Sequence, residues 1–192
     1  MSSTCRDATA FQVSLAARAL RNGGIVAYPT EAVWGLGCDP ENGHALCALL
    51  AAKHRDAGKG LILVAGNVQQ FSAILAPLHD SDRQILLDSW PGPVTWLVPH
   101  HGKVHPLVHG GHLTVALRVS SHPMVQALCH AFGGPIVSSS ANPQSLPPAL
   151  DGSTVRRYFA GRVDYLLSGP LGGLQRPTEI RDLVSGRVVR PG

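Results

Sequence analysis

Aromatic residues make up only 5% of this 192-residue chain, and charged residues only 15%. Few aromatics leave little material for the exposed stacking platforms that hold single-stranded nucleic acid. Few charges argue against a self-repelling disordered segment, and with 44% hydrophobic residues they point to a large core. Cysteine is scarce as well. Cys5, Cys38, Cys47 and Cys129 form no C-x-x-C pair, and their spacings match no zinc module, so they read as reduced thiols. No apolar run approaches the roughly 18 residues of a membrane-spanning helix. The N-terminal MSSTCRDATAFQ lacks the apolar stretch of a secretory signal. The expectation is a soluble cytoplasmic protein with no membrane partner. Neither sign of charge dominates: the net charge is +4, which permits an anionic partner without the broad basic stripe of a nucleic-acid binder. No linker divides the chain, so one domain over residues 1–192 is expected.

What is present is an interleaving of helical and strand patterns. Helical spacing runs over residues 8–22, stopped by Gly23-Gly24, and over 41–54, 68–75, 80–90, 123–132 and 154–159. Short apolar or β-branched runs predict strands at 25–28, 61–65, 94–98, 113–119, 135–137 and 164–167. A late hairpin pairs 180–183 with 187–189 around Ser185-Gly186. Trp90-Pro91-Gly92-Pro93 must be a turn, because two prolines cannot continue a helix. The alternation predicts an α/β fold, and the late hairpin requires antiparallel pairing, so the sheet is mixed.

Two segments carry the chemistry. Lys53-His54-Arg55 with Lys59 supplies point charges and a fork donor, and Ser138-Ser139-Ser140-Ala141-Asn142 supplies hydroxyls, an amide and close backbone approach. Together these suit a polyphosphate. A third segment, YPTEAVWGLGCDP at Tyr28–Pro40, places Thr30 and Glu31 on a loop after a strand. Each has an ordinary alternative: a solvated helix end, a polar turn, a turn cap beside a solvated Glu31. Arg118 is less ordinary. In LTVALRV it shares a face with Thr114 and Ala116, and an inward Arg requires a partner. Trp34, Trp90 and Trp96 read as core or cleft wall, with Trp34 the best placed to line a cavity. His100, His101, His105, His109 and His112 crowd one segment, but Gly102, Pro106 and Gly110-Gly111 break any helix that would align them as metal ligands. A surface loop over the cleft is expected there, and no metal site.

PTEAVWGLGCDP, K-x-R with KGL, WPGPVT, LTVALRV, S-x-S-A-N and a closing RPG occur in that order over Tyr28–Gly192. In this the chain resembles the YrdC-like threonylcarbamoyl-AMP synthases in their short form. The resemblance implies an open, twisted, largely antiparallel mixed sheet flanked by helices, with a large positive concave cavity. It implies a nucleotidyl transfer in which L-threonine, bicarbonate and ATP give threonylcarbamoyl-AMP and pyrophosphate, with Mg²⁺ carried on ATP. It also implies a tRNA threonylcarbamoyl-transfer complex as downstream acceptor, with weak direct tRNA binding possible. Residue by residue it assigns Lys53, Arg55, Lys59, Thr114, Ser140, Asn142 and Arg190 to ATP, with Arg55 and Lys59 catalytic. It assigns Thr30, Arg118, Ser138 and Thr178 to threonine. Two positions depart from the pattern: Val64 stands where some members have histidine, and Pro148 where longer relatives have an ATP-contacting serine. A non-enzymatic RNA-binding module is the competing class, and an accessory domain of larger, zinc-bearing carbamoyltransferases a third. Sparse aromatics and converging cations favour the enzyme over the first, and the missing zinc modules favour it over the second.

Overall fold

β-Branched and apolar segments separated by glycine and proline turns pair into one sheet of nine strands. The computed structural model describes residues 3–176 and 178–192, with side chains from residue 9 onward; Cys5 lies outside the described side chains. In chain order the strands are β1 (Val26–Pro29), β2 (Trp34–Gly37), β3 (Ile62–Ala65), β4 (Val94–Pro99), β5 (Thr114–Val119), β6 (Ile136–Ser140), β7 (Tyr165–Leu166), β8 (Glu179–Asp182) and β9 (Val188–Arg190). Their order across the sheet is β7-β1-β2-β6-β3-β5-β4-β8-β9. Five ladders are antiparallel and three parallel, so the sheet is mixed and largely antiparallel, as expected.

The helices are α1 (Ser3–Arg21), α2 (Gly43–Lys53), α3 (Ser72–Leu75), α4 (Asp80–Ser89), α5 (Pro106–His109), α6 (Pro123–Phe132) and α7 (Gly152–Tyr158). α2 starts later than its periodicity suggested because the Asn42 side chain caps it by accepting from the Ala45 amide. The single turn of α5 forms within the histidine-rich segment because Pro106 occupies its first turn, where no amide is needed.

Side chains alternate across a strand, so each strand serves two layers. Leu36, Leu63, Val98, Leu117 and Val137 point to one face, under Leu46 and Leu49 of α2, Leu86 of α4, and Phe71. Val26, Tyr28, Val64 and Ile136 point to the other, under Val13, Ala16 and Leu20 of α1 and Val125 and Leu128 of α6. That second layer is incomplete. Ile62, Ala116 and Ser138 are register partners lying on the same face as Val64, Arg118 and Ile136, one pleat further along. There α1 and α6 no longer cover the sheet.

β2 was not legible as a strand, and its glycines are the reason: WGLG has poor strand propensity. Those glycines are nonetheless required. A Cβ on Gly37 would stand 2.6 Å from the Val137 carbonyl oxygen and 2.9 Å from the Tyr28 ring. Gly37→Ala therefore forces apart the backbone of β2 and its neighbour. The expected loss is about 2–3 kcal/mol of stability, measured by urea unfolding, with wild-type secondary structure by circular dichroism.

Candidate functional site

The bare half of the sheet face is the floor of a cavity of about 310 Å³. Ile62 of β3, Arg118 of β5, Ser138, Ser139 and Ser140 of β6, Gly35 of β2 and Arg190 of β9 line it. Thr30 and Val33, from the turn between β1 and β2, and Thr178, entering β8, form its rim with Arg55 and Pro148. Of the residues singled out from the sequence, Thr30, Arg55, Arg118, Ser138, Ser140, Thr178 and Arg190 are brought together here. Trp34 lines the same cavity, as its place in the motif suggested. Period-two alternation explains the convergence: Ile62 pairs with Ser138 and Ala116, Gly35 with Ser140, and Ile180 with Arg190, so their side chains share one face.

The remaining candidates sit elsewhere. Thr114 is on the same face as Arg118 but four residues away, about 13 Å along β5, and does not line the cavity. Lys59 is exposed at the end of a 3-10 turn, Ala57–Lys59, which the Asp56 carboxylate caps through the Gly58 amide. The histidine-rich segment supports that turn rather than lining the cavity. The Leu61 amide donates to the Val108 carbonyl at 2.8 Å, and His112 Nε2 lies 2.9 Å from the Gly58 carbonyl. The His100 and His109 rings stack at 4.3 Å. Among the described residues no group of three or more His, Cys, Asp or Glu side chains could hold a metal ion.

Lys53 is buried behind the cavity. Its ammonium donates to the Ser140 carbonyl and, at 2.8 Å, to the Asn142 carbonyl, while its own carbonyl accepts from the Gln144 amide. Asn142 closes the same loop, accepting from Ser140 Oγ at 2.6 Å and donating to the Leu146 carbonyl at 2.7 Å. The end of α2 is thus bolted to the serine-rich segment. Burial, and then the Arg55 charge, push the Lys53 amine down to about 8.

Three guanidinium groups face the cavity. Arg55 is anchored by donating to the Gly60 carbonyl at 2.8 Å, and burial draws it below its ordinary range. Arg190 donates to the Thr178 carbonyl at 2.8 Å; burial, then the charges of Arg118 and Arg55, hold it down in turn. Arg118 is buried and donates to Thr178 Oγ1 at 3.1 Å. These cations destabilise one another when nothing anionic lies between them, so the arrangement favours an anion. The hydroxyls of Thr30, Ser138, Ser140 and Thr178 add short donors and acceptors around it.

The ordinary alternative for Glu31, a solvated carboxylate, does not hold. The residue is 4% exposed, with its Oε2 3.3 Å from Arg118 Nη2. The available signal was the inward Arg118, whose required counterion is this carboxylate.

Fold and cavity together define a class: a mixed-sheet α/β protein with an arginine-lined ligand cavity on a half-covered face. A sequence profile of the Sua5/YciO/YrdC family, described as "Telomere recombination", matches residues 18–192, and the chain belongs to that family. It is 54% identical to a threonylcarbamoyl-AMP synthase of Chromohalobacter salexigens, covering 95% of this chain and 98% of that one. Among solved structures it is similar to P. abyssi Sua5 complexed with L-threonine, with a TM-score of 0.88 and 28% identity over 95% of this chain. The chain spans only about half of that longer protein, 54% of its length. It is similar also to E. coli YciO, with a TM-score of 0.83 and 26% identity, covering 95% of this chain and 90% of that one. Among the described residues no helix is long and apolar enough to cross a membrane.

Lys53 gives a pH prediction with a defined sign. A depressed amine pKa means that the unfolded chain holds more protons than the folded one between the folded value of about 8 and the ordinary 10.5. Stability contributed at this position therefore rises with pH across that window, and the neutral amine keeps two N–H groups for its two carbonyls. Relative to Lys53→Met, the wild type should gain on the order of 2–3 kcal/mol between pH 8 and pH 10.5, measured by urea unfolding. A difference independent of pH would place the proton elsewhere.

Proposed function

We propose that the protein is a threonylcarbamoyl-AMP synthase, and that this cavity binds ATP and L-threonine side by side. The observation that carries the reading is the convergence of Arg55, Arg118 and Arg190 with five hydroxyl-bearing residues around one cavity. The close relatives that bear this enzyme's name, and the Sua5 structure that holds threonine, support it.

The threonine ammonium first loses a proton, and the free amine and bicarbonate then give a carbamate with loss of water. One carbamate oxygen attacks the α-phosphorus of ATP. The bond from that phosphorus to the oxygen bridging the β-phosphate breaks, and pyrophosphate leaves. The nucleophile is already anionic, so the barrier is the approach of one anion to another. Positioning and charge neutralisation are therefore what the protein supplies.

Arg55 and Arg190 lie on the phosphate side with Ser140, and exposed Lys59 reaches the phosphates from the rim. Lys53 and Asn142 serve ATP by shaping the loop that carries Ser140. Thr114, outside the cavity at the outer end of β5, meets the part of ATP that extends beyond it. Arg118 grips the threonine carboxylate as a fork, and Thr30, Ser138 and Thr178 surround the amino acid. Mg²⁺ enters on the triphosphate and supplies further neutralisation there. The product is a reactive mixed anhydride, and it passes to a separate tRNA threonylcarbamoyl-transfer complex, with direct tRNA contact weak. The protein works in the cytoplasm.

Pyrophosphate should appear only when threonine and bicarbonate are both present, and mass spectrometry should find threonylcarbamoyl-AMP. Threonine-independent ATP hydrolysis as the sole activity would sink this reading. Arg55→Ala should lower kcat/KM by on the order of 10²–10³ in a chain that remains folded by circular dichroism. Unchanged kinetics would return Arg55 to a structural role.

Amino-acid choice gives a third check. Serine lacks one methyl group, worth only about 1–3 kcal/mol in an apolar pocket. Valine lacks the hydroxyl, and its binding would leave a buried polar partner unpaired. The expected order in competition kinetics is threonine first, serine weak, valine poorest. Valine performing as well as threonine would show that the pocket is misassigned.

A further inference from the structure

Glu31 does not line the cavity, but its side chain is joined to Arg118, which does. Its Oε1 accepts from Ser120 Oγ at 2.6 Å, and its Oε2 faces Arg118 Nη2 at 3.3 Å. Ser120 Oγ is in turn fixed by the His122 amide at 3.1 Å. On the far side of the guanidinium, Arg118 Nη1 donates to Thr178 Oγ1, which lies 3.3 Å from Thr95 Oγ1. The buried chain therefore runs Ser120, Glu31, Arg118, Thr178, Thr95.

The backbone of the same residue ties down a strap. The Leu174 amide donates to the Glu31 carbonyl at 2.9 Å, and the Gly172 amide to the Thr30 carbonyl at 3.0 Å. A Cβ on Gly172 would stand 2.8 Å from the Glu31 Cα, so the strap lies flat against residue 31 before leading on to Thr178. Burial works against the Glu31 charge, but Arg118 and Ser120 outweigh it and hold the carboxyl below its usual range. Arg118 Nε and Glu31 Oε2 are each buried without a hydrogen-bond partner. The ion pair is therefore a charge contact without an aligned hydrogen bond, and Arg118 keeps donor capacity in reserve.

We infer that Glu31 is a positioning residue: its charge holds the Arg118 guanidinium in place beside Thr178, so that the remaining donors of Arg118 meet the substrate carboxylate. The inference rests on the proposed threonine site. A buried guanidinium without its carboxylate is strongly disfavoured and moves to find another partner. Glu31→Gln keeps the volume and the Ser120 bond but sets an N–H against Arg118 Nη2.

The test uses steady-state kinetics of pyrophosphate release on the full chain. Glu31→Gln should raise the KM for threonine by about tenfold or more while leaving the KM for ATP within about twofold. In the Arg118→Lys background the same substitution should add little, because its route to substrate has already been removed. Ser120→Ala, which frees the carboxylate without removing its charge, should move the threonine KM in the same direction by a smaller factor; it serves if Glu31→Gln does not fold. A threonine KM within twofold of wild type in a folded Glu31→Gln chain overturns the role. So do equal rises in both KM values, or effects that multiply in the double variant. A wild-type chain that releases no pyrophosphate in response to threonine overturns the functional reading itself, and this role with it.

Discussion

The site exists because two helices cover only half of one sheet face. α1 and α6 seal Val26, Tyr28, Val64 and Ile136 and then end their coverage. Every strand that continues past them must present its next same-face residue to the open side. Alternation leaves little choice about which residues those are: Ile62, Ser138, Ser140, Arg118 and Arg190 emerge together because their strands are in register. A one-residue slip of β6 against β3 would bury Ser138 under the opposite layer and turn Val137 into the cavity. The cavity floor and the hydrophobic core are therefore specified by the same hydrogen-bond ladder.

Electrostatics complete what register begins. Burial, then the charges of Arg118 and Arg55, hold Arg190 below its ordinary range, and of these three only Arg118 has a buried counterion. Lys53, which could have been a fourth cation in the cavity, is instead committed to two backbone carbonyls. The division of labour is physical. An ammonium on a flexible stem satisfies carbonyls well, whereas planar guanidinium forks suit carboxylates and phosphates.

Much of the fold was legible because its strands are apolar, β-branched and punctuated. β3, β4 and β5 announced themselves in this way, and so did the β8–β9 hairpin. β2 did not, because its glycines serve close backbone approach rather than strand propensity. The serine-rich segment was recognised as a donor nest but placed beyond its strand; in the fold Ser138–Ser140 are the end of β6 itself. Arg118 and Thr178 could be named from their motifs. Glu31 could not be separated from a surface carboxylate, since its burial depends on the strap at 172–174, which lies about 140 residues away in the chain. Lys53 looked like a ligand contact for the opposite reason: its partners are main-chain atoms, which leave no trace in residue identity.

The β8–β9 hairpin is the part of the sheet most open to wear. Thr178 and Arg190 come from the margin of the sheet, where Val188 and Val189 are half or more exposed and β9 has a neighbour on one side only. Such an edge opens more readily than the strands at the centre. Heat or mild denaturant would loosen this margin while β3, β5 and β6 stay packed, so the enzyme is built to fall silent before it falls apart. Any ligand gripped by Arg190 would act as a clasp on that edge, and an occupied protein would outlast an empty one.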